Sequence, residues 1–161
     1  MQKVINSHCH IYPDKIAAKA VKGIRDFYDL HMSLNGTVND LIEDGNKVGA
    51  VHYLIHSVAT TPKQVSSINN FIAESVKKSC GHFTGLGTLH PDSEDMEADV
   101  NEILSLGLKG VKIHPDIQKV AIDDPRMHKI YKLFLRHFGG VVYLQDEIYL
   151  IEYFYYNHII D

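Results

Sequence analysis

The segment Ile5-Asn6-Ser7-His8-Cys9-His10, close to the amino terminus, is a short strand pattern that runs into two histidines at alternate positions. Residues two apart on a strand point to the same face, so His8 and His10 project together with Cα atoms about 7 Å apart. Cys9 points to the opposite face, where we expect it to pack. Two imidazoles this close can bind one metal ion at about 2.0–2.1 Å per bond.

Three later segments are also predicted to be buried parallel strands, and each ends at or beside a histidine. They are residues 49–57, 82–89 and 108–114, with His56, His90 and His114. The carboxyl ends of parallel strands lie at one edge of a sheet, which is where α/β folds bind ligands. For any one of these later histidines, a polar residue in a solvated turn is the alternative interpretation.

Helical patterns separate the predicted strands. We expect helices over 14–30, from Thr37 to about Lys47, from Thr61-Pro62 onward, after a cap at Ser93, and after Asp124-Pro125. Strand and helix alternate four times, which predicts a single α/β domain over residues 1–161, built from right-handed βαβ units.

Two His-Pro-Asp triplets form a weak internal repeat. His90-Pro91-Asp92 precedes His114-Pro115-Asp116 by 24 residues, about the length of one βα unit. We expect the two turns to lie side by side at one sheet edge, although chance similarity explains the repeat equally well. Lys112 shares a strand face with His114, so it either neutralises an anionic substrate group or lies in the interior layer of the fold.

The composition narrows the classes of function. The formal net charge is −4 and the sequence has no basic stripe, so we expect no nucleic-acid partner. The longest apolar stretch, residues 148–160, is short and interrupted by Glu152, so we expect no membrane span. Two cysteines are too few for a disulfide scaffold, and the initial strand pattern leaves no room for a secretory leader. These features predict a cytoplasmic protein.

Three ordered motifs resemble one enzyme family. The first strand, Gly85–Pro91 and Leu106–Pro115 are similar to the amidohydrolase superfamily, in the amidohydrolase 2 branch of metal-dependent hydrolases. This branch also contains enzymes like amino-carboxymuconate-semialdehyde decarboxylase. The likeness extends over about residues 1–134. TatD-type nucleases share the His-Cys-His strand, but their Gly-Glu-Ile-Gly-Leu-Asp segment is absent from this sequence.

The resemblance implies a (β/α)8 barrel that binds a divalent metal, usually zinc. His8 and His10 would be metal ligands, and we add His114 as a third. His56, His90 and Lys112 are candidates for binding the metal or the substrate. The metal would activate a water molecule that attacks a C–N or C–O bond of a small molecule, or it would polarise a substrate for decarboxylation.

The sequence departs from this family in length and at its carboxyl end. A full barrel needs about 250 residues, so we predict a half-barrel of about four βα units over 1–134. A divergent tail over 135–161, of strand and helix character, contains seven of the fifteen aromatic residues. Within it, residues 139–146 could pair as a fifth strand, but they lack the family's histidine. Gln145 or Asp146 could stand near the missing ligand.

Several interpretations therefore remain open. The chain could be a metal-dependent hydrolase that is active as a homodimer, because open sheet edges favour a partner. It could be a decarboxylase of the same branch. It could instead be a catalytically inactive remnant that binds metal or a partner, or a truncated product without a selected role.

Overall fold

The computed structural model describes residues 3–138 and 142–144, with side chains through His137. The strands are β1 (Val4–His10), β2 (Ala50–His56), β3 (Phe83–Gly85), β4 (Gly87–Thr88), β5 (Val111–Ile113) and β6 (Val142–Leu144). The helices are α1 (Asp14–Tyr28), α2 (Val38–Val48), α3 (Val65–Lys78), α4 (Met96–Ser105), α5 (Pro115–Gln118) and α6 (Pro125–Phe138), with a 3-10 turn at Pro62–Gln64. No helix within these described ranges is long and apolar enough to cross a membrane.

All strand pairs in the described part of the chain are parallel, in two small sheets of order β1-β2-β3 and β4-β5-β6. The sheets meet around Leu86, whose N–H donates to the carbonyl of Ile55 at 3.0 Å. On the other side, the Lys109 N–H donates to the Gly85 carbonyl at 2.9 Å. The strands therefore follow one another in chain order, and the predicted α/β class is confirmed.

The predicted strands agree with the structure in position but not in continuity. β1 continues through His10, which pairs with His56 at the end of β2. The segment predicted as one strand over 82–89 is two strands, because Leu86 bonds to β2 while Gly87 bonds to Gly110. Between Leu86 and Gly87 the hydrogen-bond partner changes from β2 to the segment before β5. The pattern of residues within 82–89 does not predict this change, because it depends on residues far away in the sequence.

The two His-Pro-Asp turns follow strands that pair directly with each other. Thr88 of β4 lies opposite Lys112 of β5, so the offset between the paired strands is the same 24 residues that separates the two triplets. The expected placement of the turns side by side is confirmed. Only the second turn continues into a helix, α5.

The helix starts show one correct prediction and one error. Thr37 caps α2 in a capping box: its hydroxyl accepts the Asp40 N–H at 3.1 Å, and Asp40 accepts the Thr37 N–H at 3.4 Å. The predicted cap of α4 at Ser93 is wrong. Asp95 caps that helix by accepting the Ala98 N–H, whereas the Ser93 N–H bonds to the His90 carbonyl within the preceding turn.

The apolar core fills the space between the strands and the helices. Its centre consists of fully buried side chains from both layers, including Ile55, Ile72, Ile103, Ile113 and Ile130. Cys9 is 3% exposed and belongs to this cluster, so the prediction that it packs opposite the two histidines is confirmed.

The carboxyl end bears on two further predictions. β6 pairs in parallel with β5, with Val142 opposite Val111, as expected for a fifth strand. Gln145, Asp146 and the rest of the aromatic tail lie outside the described residues.

Candidate metal centre

The end of β1 provides the first two side chains of the site. His8 and His10 project together, and their Nε2 atoms are 3.1 Å apart. The strand places them there because its side chains alternate, with Cys9 on the core side.

His56, at the end of β2, provides the third side chain. It is fully buried, and its ring centroid lies 4.7 Å from that of His8 and 4.5 Å from that of His10. One ring nitrogen from each of the three residues lies within 4.8 Å of those of the other two. Parallel pairing of His10 with His56 brings the three imidazoles together, although they are far apart in sequence.

The surroundings keep these imidazoles neutral. Burial lowers the pKa of His8 to about 4 and that of His10 to about 3. Burial also lowers the pKa of His56 strongly, and the positive charge of Lys112 adds to the effect at all three rings. Neutral imidazole is the form that binds metal, so at pH 7 no proton has to leave before an ion binds.

The same residues fit a divalent cation on a second ground. A set of three imidazole donors suits zinc and other first-row metals.

Lys112 and His114 border this three-histidine group. Lys112 on β5 is fully buried. His114 follows β5 and caps α5, where its Nδ1 accepts the Ile117 N–H at 3.4 Å. Its Nε2 is hydrogen-bonded to the Tyr28 hydroxyl at the end of α1. The structure thus gives His114, the predicted third ligand, two hydrogen bonds of its own, and it brings His56 close to His8 and His10.

His90 lies apart from the three-histidine group. Its Nδ1 accepts the Asp92 N–H at 3.2 Å, and the Asp92 carboxylate binds Arg126 at 2.8 Å. Burial lowers the pKa of His90. These contacts tie His90 to the turn after β4 and to the start of α6.

A cavity of about 460 Å³ opens beside the site. Its lining includes the side chains of His8, His10 and His114 and those of Tyr12 and Tyr28. Its apolar wall comes from α1, α2 and the loop between them: Val21, Ile24, Leu30, Leu34 and Leu41. The sequence did not predict this wall. The amphipathic pattern of α1 is the same whether the apolar face of the helix covers a core or lines a cavity.

The similarity of this chain to known proteins is found in its structure and not in its sequence. No family model matches the sequence. No curated protein matches it either. Among solved structures, 5-carboxyvanillate decarboxylase from Novosphingobium aromaticivorans, with bound manganese and a nitrobenzoic acid, superposes with a TM-score of 0.64 at 18% identity. The match covers 88% of this chain and 50% of that one.

Two further decarboxylases give the same result. The 5-carboxyvanillate decarboxylase from Sphingomonas paucimobilis has a TM-score of 0.64 at 16% identity, covering 89% of this chain and 51% of that one. The 2,6-dihydroxybenzoate decarboxylase from Rhizobium has a TM-score of 0.58 at 16% identity, covering 91% and 50%. These enzymes belong to the amidohydrolase 2 branch.

The chain has the fold of about half of each of these decarboxylases. It spans about half the length of the decarboxylases that it matches. The resemblance that three sequence motifs predicted is thus confirmed at the level of the fold.

Proposed function

We propose that this chain binds one divalent metal through His8, His10 and His56 and uses it in amidohydrolase-type chemistry on a small molecule. The observation that carries the proposal is the convergence of three neutral imidazoles at the carboxyl ends of two paired parallel strands. Three protein ligands with a remaining open position are typical of catalytic zinc sites, whereas structural sites have four.

Zinc is the metal that we propose. Two tetrahedral ligands with bonds of 2.0–2.1 Å stand about 3.3 Å apart, close to the 3.1 Å between Nε2 of His8 and Nε2 of His10. Manganese is the alternative, since one similar decarboxylase binds it. The all-imidazole donor set supports zinc, because manganese prefers oxygen ligands.

A divalent metal bound here would supply a Lewis acid, for hydrolysis through an activated water or for decarboxylation of a bound acid. The chain's own residues would bind and orient the substrate. The apolar wall of the cavity suits an apolar body, and Lys112 places a buried positive charge near the histidines that would favour an anionic group. Decarboxylation is supported by the similar structures, and hydrolysis by the first-strand motif.

Metal analysis of purified variants tests the proposal. We expect about one zinc per chain in the wild type, and loss of that zinc in His8→Ala/His10→Ala and in His56→Ala. His52→Ala is the matched control, because His52 lies on the same strand as His56 but bonds to Thr84 at 2.9 Å. It should retain the metal.

Two results would change the assignment. Stoichiometric zinc in the folded His8→Ala/His10→Ala variant would place the site elsewhere. Loss of zinc in His114→Ala, together with retention in His56→Ala, would make His114 the third ligand. Loaded protein should then be assayed for carbon dioxide release from aromatic carboxylates and for hydrolysis of esters and amides. Activity in neither assay would favour the metal-binding remnant.

A further inference from the structure

The side chain of Gln118 is a buried amide that connects three separate strand ends. It is 5% exposed and lies in the short helix α5. Its Oε1 accepts the His114 N–H at 2.9 Å, after β5. Its Nε2 donates to the carbonyl of Ala59 at 2.9 Å, after β2, and to that of Leu89 at 2.7 Å, after β4. The oxygen accepts one bond, and both amide hydrogens are donated.

Two other buried hydroxyls extend these connections along the sheet edge. The Ser57 hydroxyl donates to the Ile11 carbonyl at 2.7 Å and joins the ends of β2 and β1. The Thr88 hydroxyl oxygen accepts the Ala59 N–H at 3.2 Å and joins β4 to the loop after β2. The loops next to His10, His56, His90 and His114 are therefore linked by buried side-chain hydrogen bonds.

We infer that Gln118 is a positioning residue that fixes where the loops after β2, β4 and β5 stand relative to one another. Through the loop at Ala59 it holds the end of β2, and therefore His56, in place relative to the ends of β4 and β5, while the Ser57 hydroxyl joins the same end of β2 to β1. This inference rests on the proposed metal site, which needs His56 to be placed precisely. A loop without such a bond could shift by itself. Three loops bonded to the same buried amide resist moving relative to one another, because any such shift breaks a buried hydrogen bond.

The choice of an amide at this position has a chemical reason. The position faces one N–H and two carbonyls, so a carboxylate would repel the carbonyls and an apolar side chain would take one hydrogen bond from each of three main-chain groups. Asn69 provides a comparison within the same molecule. It is a fully buried amide whose partner among the described residues is Thr88: it accepts the Thr88 N–H at 2.7 Å and donates to the Thr88 carbonyl at 3.2 Å.

The test compares Gln118→Met with Asn69→Leu in the full-length chain. Both variants remove a buried amide, but only the first removes hydrogen bonds made directly to the loops after β2 and β5. Asn69→Leu removes the two bonds to Thr88 and keeps all those of Gln118. Zinc affinity is measured by calorimetry, and the His56 ring resonances of the metal-free protein by NMR. We expect the zinc Kd to rise about tenfold or more in Gln118→Met, the range seen when supporting groups of metal ligands are removed. Asn69→Leu should change the Kd by less than about twofold and leave the His56 resonances in place.

Each outcome decides the inference. An unchanged Kd and unchanged His56 resonances in Gln118→Met, or equal changes in Asn69→Leu, would overturn it. If the wild type binds no zinc, the proposed function fails and the NMR comparison alone decides the positioning role. If Gln118→Met does not fold, Gln118→Glu serves instead, since it keeps the acceptor for the His114 N–H and loses the donors to Ala59 and Leu89.

Discussion

His10 shows how a single half-buried side chain links the stability of this protein to its proposed chemistry. Its pKa is lowered to about 3, first by burial and then by the nearby positive charges, so the folded protein keeps the ring neutral. In an unfolded chain the same ring takes up a proton near its ordinary pKa of about 6.5. The neutrality that suits a metal ligand therefore makes the metal-free fold sensitive to acid.

We predict that the metal-free protein loses stability as the pH falls below about 6.5. In that range the unfolded state binds more protons than the folded state, so each half-buried histidine such as His10 contributes a loss of up to about 1.4 kcal/mol per pH unit. The loss continues until the pH approaches the folded pKa of about 3. Thermal melts in chelator between pH 7 and pH 5, at constant ionic strength, measure it.

Variants at two histidines identify the source of this acid sensitivity. His10→Gln should flatten the dependence of the melting temperature on pH, because the half-buried group that resists protonation is gone. His31→Gln, at an exposed loop position, should leave the dependence as in the wild type. A wild-type melting temperature that stays constant or rises from pH 7 to pH 5 would contradict the prediction.

At the residue scale, the sequence identified part of the site and could not rank the rest. His8 and His10 were predicted to lie together because strand periodicity is a local rule. The choice between His56 and His114 depends on the pairing of β1 with β2 and on the bond from Tyr28 to His114. Those contacts join residues that are tens of positions apart, and no spacing in the sequence encodes them.

At the scale of elements, two glycines in adjacent helices stand in opposite environments. Gly23 in α1 is exposed, and a Cβ added there would meet no atom within 4 Å. Gly45 in α2 packs against β2, and a Cβ there would lie 1.9 Å from the hydroxyl oxygen of Tyr53. Tyr53 is 4% exposed and belongs to the core, so it has little room to move away.

We predict opposite effects for alanine at these two positions. Gly23→Ala should stabilise the protein by about 0.5–1 kcal/mol, because alanine loses less backbone freedom in a helix. Gly45→Ala should destabilise it by about 1–3 kcal/mol, because the added methyl group overpacks the contact between α2 and β2. Urea unfolding of both variants beside the wild type gives the two differences. A neutral or stabilising Gly45→Ala would show that α2 shifts freely on the sheet.

Elements were predictable where their signals were local. The start of α2 at Thr37 involves residues within one element, and that prediction was confirmed. The break between β3 and β4 and the cap at Asp95 depend on which neighbour or turn takes each N–H. Ser93 had the right side chain for a cap, but its main chain belongs to the turn after His90.

At the scale of the whole molecule, the sheet has an edge that the described residues leave open. β1 pairs only with β2 within the described ranges. Ile5, the second residue of this strand, is 67% exposed, and Val48 nearby is 65% exposed. An exposed apolar strand edge pairs readily with another chain, and full barrels avoid the problem by closing on themselves.

A second copy of this chain is the partner that we propose for this edge. Two half-barrels related by a two-fold axis would pair each β1 with the far edge of the other copy, so that both open edges are covered. Native mass spectrometry of the purified protein, without chelator, should show a dimer carrying one zinc per chain. Ile5→Lys adds a charge at the exposed edge and touches neither the core nor the three histidines, so it should yield a monomer that still binds zinc. A wild-type monomer at micromolar concentration would rule out the dimer, whether or not zinc is bound.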